Sequence, residues 1–194
     1  MVDQLNEKTD FNSGITLVRP IDSSHPSINQ QNGLNTAITR GINEQKQSVS
    51  NIRIINSVNR EILIYSEYDK FLKCAEFANY NGFRLRKRDR NIDHNVRLED
   101  TPASSFPAKL TQFLFHRFQH FNGDSSKGLF IIPCELIDYN GDKLQEFVNP
   151  TWTYWQLPAD FIAWLNSSNT FCSTLVDRIV TGYPKNESKN WKKN

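Results

Sequence analysis

Between Lys127 and Cys134 the chain reads Gly128-Leu129-Phe130-Ile131-Ile132-Pro133, a run without a single polar side chain. A strand with one wet face alternates polar and apolar residues, so a short unbroken run closed by proline predicts a central strand covered on both faces. Parallel neighbours of such a strand need crossover connections, usually helices. The sequence supplies them. Pro107 to Phe121 carries Leu110, Phe113, Leu114 and Phe118 on one stripe, with Ser104 or Ser105 to cap it and Asn122-Gly123-Asp124 to stop it. Further helical patterns run from Glu67 to Ala78, Asp142 to Val148 and Pro158 to Leu165, and Asp3 to Thr9 reads as the end of another. Ile15-Thr16-Leu17-Val18 is a short β-branched run ended by Arg19-Pro20. Leu34 to Ile42 and Val49 to Val58 are strand-like, with Ile52, Ile54 and Val58 on one alternating face and Glu44 to Gln47 as a polar connection. Helices alternating with buried strands predict an α/β fold with a mostly parallel sheet, with Ile15–Val18 and Leu129–Ile132 in one sheet.

The balance of charge narrows the function. Twenty-three basic and 21 acidic residues leave a formal charge of +2, which argues against nucleic acid as a partner. No apolar run approaches the roughly 20 residues of a membrane span. The polar opening Met1-Val2-Asp3-Gln4 lacks the pattern of a secretory signal. Cys74, Cys134 and Cys172 are scattered and odd in number, which fits a reducing cytoplasm. At 194 residues the chain has the length of one domain, given roughly 100–200 residues each.

Four features bear chemistry. His116 and His120 stand four apart on a predicted helix, a spacing that can hold a metal, yet no HExxH glutamate lies between them and no carboxylate completes a site. Surface histidines are the expectation and no metal is assigned; Cys134 and Cys172 read as buried apolar thiols. Pro133-Cys134-Glu135-Leu136-Ile137-Asp138-Tyr139-Asn140-Gly141 follows the central strand, where open α/β sheets bind ligands beyond the strands' carboxyl ends. Glu135 can accept from a ribose or substrate hydroxyl there and Asn140 can bond either way. Alternatively, Asn140-Gly141 is a turn and Glu135 a helix-start charge. Asp177-Arg178 sits in the apolar run Thr170 to Val180, where charges are costly unless paired; the pair fixes a ligand or anchors the backbone between layers. Finally, Phe83 to Asn91 carries five arginines and lysines, a phosphate- or nucleic-acid-binding loop or a solvated one.

The run Phe171-Cys172-Ser173-Thr174-Leu175-Val176-Asp177-Arg178-Ile179 resembles the signature of the polyol-specific long-chain, or mannitol dehydrogenase, family. Ser105-Phe106-Pro107-Ala108-Lys109-Leu110, Pro133-Cys134-Glu135-Leu136-Ile137, Asn140-Gly141-Asp142-Lys143-Leu144 and Arg19-Pro20-Ile21-Asp22 extend the likeness. So do Arg40-Gly41-Ile42-Asn43-Glu44 and Ser57-Val58-Asn59-Arg60-Glu61-Ile62, and these point to the branch that interconverts tagaturonate and altronate in hexuronate breakdown. The likeness runs from Met1 to about Lys185; Thr181 departs from the signature, which usually has Pro or Ser there. It implies NAD, a small-molecule sugar acid as substrate, hydride transfer and no metal. It implies also that Asp22, Cys134, Glu135, Asn140, Asp177 and Arg178 lie beside cofactor or substrate. The family's catalytic Lys, Asn and His belong to a helical C-terminal domain, so no catalytic residue is assigned in this chain. The Gly-rich phosphate turn is likewise missing, and Met1 to Asn6 reads as a family helix entered midway.

The expectation is therefore an incomplete Rossmann-like domain over residues 1–185, disrupted at 83–95, with an aberrant tail at 186–194 and inactive by itself. Codon arithmetic explains the disruption. Leu85-Arg86-Lys87-Arg88-Asp89 can be encoded CTA CGG AAG CGG GAY. Read one base earlier, after an arginine codon ending in A, the string spells Thr-Thr-Glu-Ala-Gly, the family's crevice motif. Asn190-Trp191-Lys192-Lys193-Asn194, shifted the same way, yields Leu-Glu-Glu-Lys. A local frameshift accounts for both. The alternatives are a non-enzymatic α/β remnant or interaction module, and a fructuronate reductase or mannitol dehydrogenase-type relative.

Overall fold

A computed structural model describes residues 2–20, 27–83, 96–134 and 136–175. The first helix, α1 (Val2–Lys8), leads into β1 (Ile15–Arg19), and a 3-10 turn at Ile28–Gln31 precedes the hairpin of β2 (Asn35–Ile42) and β3 (Ser48–Ile55). Then follow β4 (Val58–Leu63), α2 (Tyr68–Cys74), β5 (Tyr80–Phe83), α3 (Phe106–His120), β6 (Phe130–Pro133), α4 (Asn140–Tyr154), α5 (Ala159–Ser168) and β7 (Thr170–Phe171). Three strand pairings are parallel: β1 with β4, β5 with β6, and β6 with β7. Among the described residues only the β2–β3 hairpin is antiparallel. This is an α/β chain with β6 central to its three-stranded sheet, as the apolar run predicts.

Local rules account for most boundaries. Ser105 caps α3, its Oγ accepting from the Ala108 N–H at 3.3 Å, and Pro107 occupies the first turn where its missing N–H costs nothing. Leu110, Phe113 and Leu114 are buried along one side of α3. They meet Ile62 of β4, Ile131 of β6, Leu144 and Val148 of α4, and Phe161 and Leu165 of α5 in one core. Gln112 on the same helix reaches back to the preceding loop, donating to Leu98 O and Asp100 O at 2.8 and 2.7 Å while its Oε1 accepts from Ala103 N. Buried Arg117 likewise donates to the carbonyls of Ala75 and Lys127, tying α3 to the ends of two neighbouring elements.

Several expectations change. Ile15–Val18 and Leu129–Ile132 share the core side of the molecule but not a ladder: among the described residues β1 pairs with β4 and β6 with β5 and β7. The run from Val49 to Val58 is two strands. Asp3 of α1 breaks it, its carboxylate accepting from Asn56 N at 3.0 Å and from Arg53 Nε at 2.7 Å. The Asn56 N–H and Arg53 hold the Asp3 carboxyl below the usual carboxylate range. Val58 consequently starts β4 and pairs with Ile15. The helix expected over Glu67 to Ala78 is shorter, ending at Cys74. Within β6, Ile131 and Pro133 are buried but Phe130 is half exposed and Ile132 partly so, and burial alternates although the sequence does not.

Ile52 and Ile54, which alternation places on one face, are about two-thirds exposed, at 66% and 65%. Opposite residues of an antiparallel pair share a face, and Ile52 stands across from Ile38 and Ile54 across from Thr36, while Arg53 turns to the other face and Asp3. Replacing Ile52 by Thr is accordingly expected to change unfolding free energy by no more than about 0.5 kcal/mol. Urea denaturation checks this; a loss several times larger would mean that the face is covered.

Candidate functional site

Two strand ends carry organised polar chemistry. The first lies beyond β6. Pro133 closes the strand, Tyr139 adopts a left-handed φ of 54°, and α4 begins at Asn140. Thus Asn140-Gly141 is a helix start, not a free turn. Asn140 is buried, its Nδ2 donating to Pro133 O at 3.2 Å and to Thr174 O at 2.9 Å, and its Oδ1 accepting from Thr174 N at 2.8 Å. The Thr174 hydroxyl also donates to Pro133 O. Next to it, Gly141 N donates to Ser173 Oγ at 3.3 Å, and a Cβ at Gly141 would fall 2.7 Å from the Cys172 carbonyl. Glycine is needed here for close approach. The amide expected to meet a ligand is therefore engaged within the chain, binding the exit of β6, the first turn of α4 and the segment after β7 together.

Cys134 sits at this exit, half buried, with its Sγ 3.6 Å from Ile132 O. Cys172 is half buried too, and the thiol that is buried is Cys74, pushed up by its apolar surroundings. Asp138 and Tyr139 are exposed. Asp22, Glu135, Asp177 and Arg178 lie outside the described residues, as do the basic stretch from Arg84 and the tail. Of the residues singled out in the sequence, the described structure brings Cys134 and Asn140 to one strand end.

The second organised end belongs to β1 and β4, and its central residue was not among those singled out above. Glu61 on β4 has a side chain only 2% exposed. Its Oε1 meets Arg19 Nη1 at 2.8 Å; its Oε2 accepts from Ser27 Oγ at 2.6 Å and from Ile28 N at 3.0 Å. Burial pushes this carboxyl up, but the Ser27 hydroxyl, the Ile28 N–H and the Arg19 guanidinium outweigh it and hold the group below its ordinary value. In the sequence Glu61 falls within the run Ser57 to Ile62 that extends the family likeness, but that likeness assigned it no role.

The histidines of α3 take separate partners. His116 Nε2 lies 3.1 Å from Glu76 Oε1, and the Glu76 carboxyl is lowered chiefly by that hydrogen bond. His120 stacks edge-on against Phe121. Among the described residues no three His, Cys, Asp or Glu side chains group as a metal site, and no helix is long and apolar enough to cross a membrane.

Parallel strands joined by helices, with polar side chains tying the strand ends, define a Rossmann-type α/β architecture, and comparison bears this out. The mannitol dehydrogenase Rossmann domain matches residues 1–194, and the chain belongs to that family. Among curated proteins it is 54% identical over 189 residues to the altronate oxidoreductase of Enterobacter sp. (strain 638), and equally to that of Escherichia coli O7:K1 (strain IAI39 / ExPEC). In both cases the match takes in 96% of this chain and 39% of the relative, so the chain spans about two-fifths of their length. Among solved structures, a D-sorbitol dehydrogenase in substrate-free form superposes with a TM-score of 0.72 at 15% identity, over 97% of this chain and 41% of that one. The Pseudomonas fluorescens mannitol 2-dehydrogenase ternary complex with NAD and D-mannitol gives 0.56 at 12% identity, over 74% and 30%. At these identities the two structures speak for the fold alone.

Proposed function

We propose that this chain is the dinucleotide-binding part of an altronate oxidoreductase, an NAD-dependent enzyme that interconverts altronate and tagaturonate by hydride transfer. The observation that carries the reading is 54% identity over 96% of the chain to curated altronate oxidoreductases. NAD, when bound, supplies the hydride acceptor. The residues fit one half of such a ligand. Ser27 and Ile28, five and six residues after Asp22, the acid placed by resemblance on the adenosine side, are held by a buried carboxylate. The other half has no assigned place among the described residues, because Gly33 and Gly141 are packed against Val58 and Cys172 and offer no open cradle for a pyrophosphate. Glu135, Asp177 and Arg178, with Cys134, are the residues proposed to lie beside cofactor or substrate; Asn140 clamps the strand end that Cys134 follows. A sugar acid is the small-molecule partner, and the cytoplasm the setting.

Hydride transfer also requires a group that takes the hydroxyl proton, and this chain has none assigned. Without such a group the rate is lower by roughly 10²–10⁴-fold, in addition to any loss of cofactor grip. The purified 194-residue chain is therefore expected to give no NADH from altronate and NAD above background, beside a full-length relative run in parallel. Turnover by this chain alone would overturn the division of labour proposed here.

A further inference from the structure

A buried carboxylate is tolerated only where it is paired and hydrogen-bonded, and even a well-made buried ion pair contributes little net stability compared with an apolar residue of similar volume. What Glu61 does with its bonds is therefore more informative than their number. They fall on either side of one connection. The chain leaves β1 at Arg19, which Oε1 holds, and the next described residues, Ser27 and Ile28, are held by Oε2. One side chain on β4 thus grips both ends of the excursion that follows β1.

The returning end is seated on β4 by two more devices. Asn29 pairs with the backbone of Glu61 as a neighbouring strand would, its Nδ2 donating to Glu61 O at 3.0 Å and its Oδ1 accepting from Glu61 N at 2.8 Å. Gly33, at φ 81°, lies so close to the strand that a Cβ would fall 1.9 Å from Val58 O. Gly33 thus seats the far end of the turn at the start of β4, level with Ile15, while Glu61 holds Ser27 and Ile28 against Arg19 at the carboxyl end of β1, the side of an open α/β sheet on which ligands bind.

We propose that Glu61 is a positioning residue for the adenosine end of the dinucleotide: it touches no ligand, but sets the rim of the crevice beyond β1 by fixing Arg19 against Ser27 and Ile28. This rests on the dinucleotide reading above. Glu61→Gln keeps the shape while removing the charge and one of the two acceptor oxygens, so that Arg19 and the turn can no longer both be met by an acceptor. Amide exchange and calorimetric titration with NAD and with adenosine 5′-monophosphate read the two halves of the proposal in the same samples. In the variant, exchange at Ile28 and Asn29 rises about tenfold or more while Ile131 in β6 stays protected, and the Kd for both nucleotides rises about tenfold, the scale of one charge-assisted hydrogen bond. Ser27→Ala removes one arm without touching β4 and moves both readouts the same way by less, which keeps the question answerable if Glu61→Gln does not fold. Wild-type chain that binds neither nucleotide would overturn the dinucleotide reading and the ligand assigned here with it. Wild-type binding that Glu61→Gln leaves unchanged would overturn the positioning role alone, as would exchange that rises equally at Ile131.

Discussion

Phe161→Ala is expected to lower the unfolding free energy by about 3–5 kcal/mol. Phe161 is fully buried on α5, and its ring meets Phe115 and Phe118 of α3 edge-on, with centroids 5.1 and 5.4 Å away. Trp164, one turn later, closes on Phe118 at 5.7 Å and sends its indole N–H to Asp124 O at 2.9 Å. Truncation removes an aromatic side chain from between two helices whose backbones are held by other contacts, so the space cannot fully collapse. Edge-to-face pairs add roughly 0.5–1.5 kcal/mol each beyond burial, which places the loss toward the upper part of the range. Urea denaturation reads it directly. A loss below about 1 kcal/mol would show that α3 and α5 repack freely and that the core is not the one described.

The second large effect is at Asn140. Substitution by Ala leaves Thr174 N–H and Thr174 O without the partners the amide gives them, at roughly 1–3 kcal/mol for each orphaned group, or about 3 kcal/mol in total. Asn140→Asp separates this clamp from simple loss of volume. An ionised carboxylate still accepts from Thr174 N but sets negative oxygen against the carbonyls of Pro133 and Thr174, so at pH 7 it is expected to cost at least as much as Ala. Those carbonyls and burial raise the pKa of the introduced acid in the folded state above its unfolded value. The unfolded chain then binds fewer protons than the folded one between the two values, and stability relative to wild type recovers as pH falls through the folded pKa. Denaturation midpoints at pH 7 and near pH 5 test the sign. An Asp variant that loses ground on acidification, relative to wild type, would mean that the amide does not donate to those carbonyls.

The two variants also mark where reading the chain residue by residue stops. The stripe, cap and first-turn proline of α3 were legible because each depends on neighbours within one or two turns. The Glu44–Gln47 connection and central β6 were legible for the same reason, from polarity and an apolar run. By contrast, the strand run from Val49 to Val58 looked continuous because the group that interrupts it, Asp3, is 53 residues away from Asn56. Asn140 looked available to a ligand because Thr174, which takes up its amide, lies 34 residues further on. Alternation put Ile52 and Ile54 on one face, as found, but could not say what covers that face, and both are exposed.

The sequence by itself determined the class of fold, the family and the place to look, since apolar periodicity, caps and the run from Phe171 to Ile179 are written in consecutive residues. Tertiary structure alone decided which polar groups at the strand ends are occupied. Asn140 became a clamp and Glu61 a staple because burial forces every donor and acceptor to find a partner, and the partners within reach are chosen by which strands lie side by side.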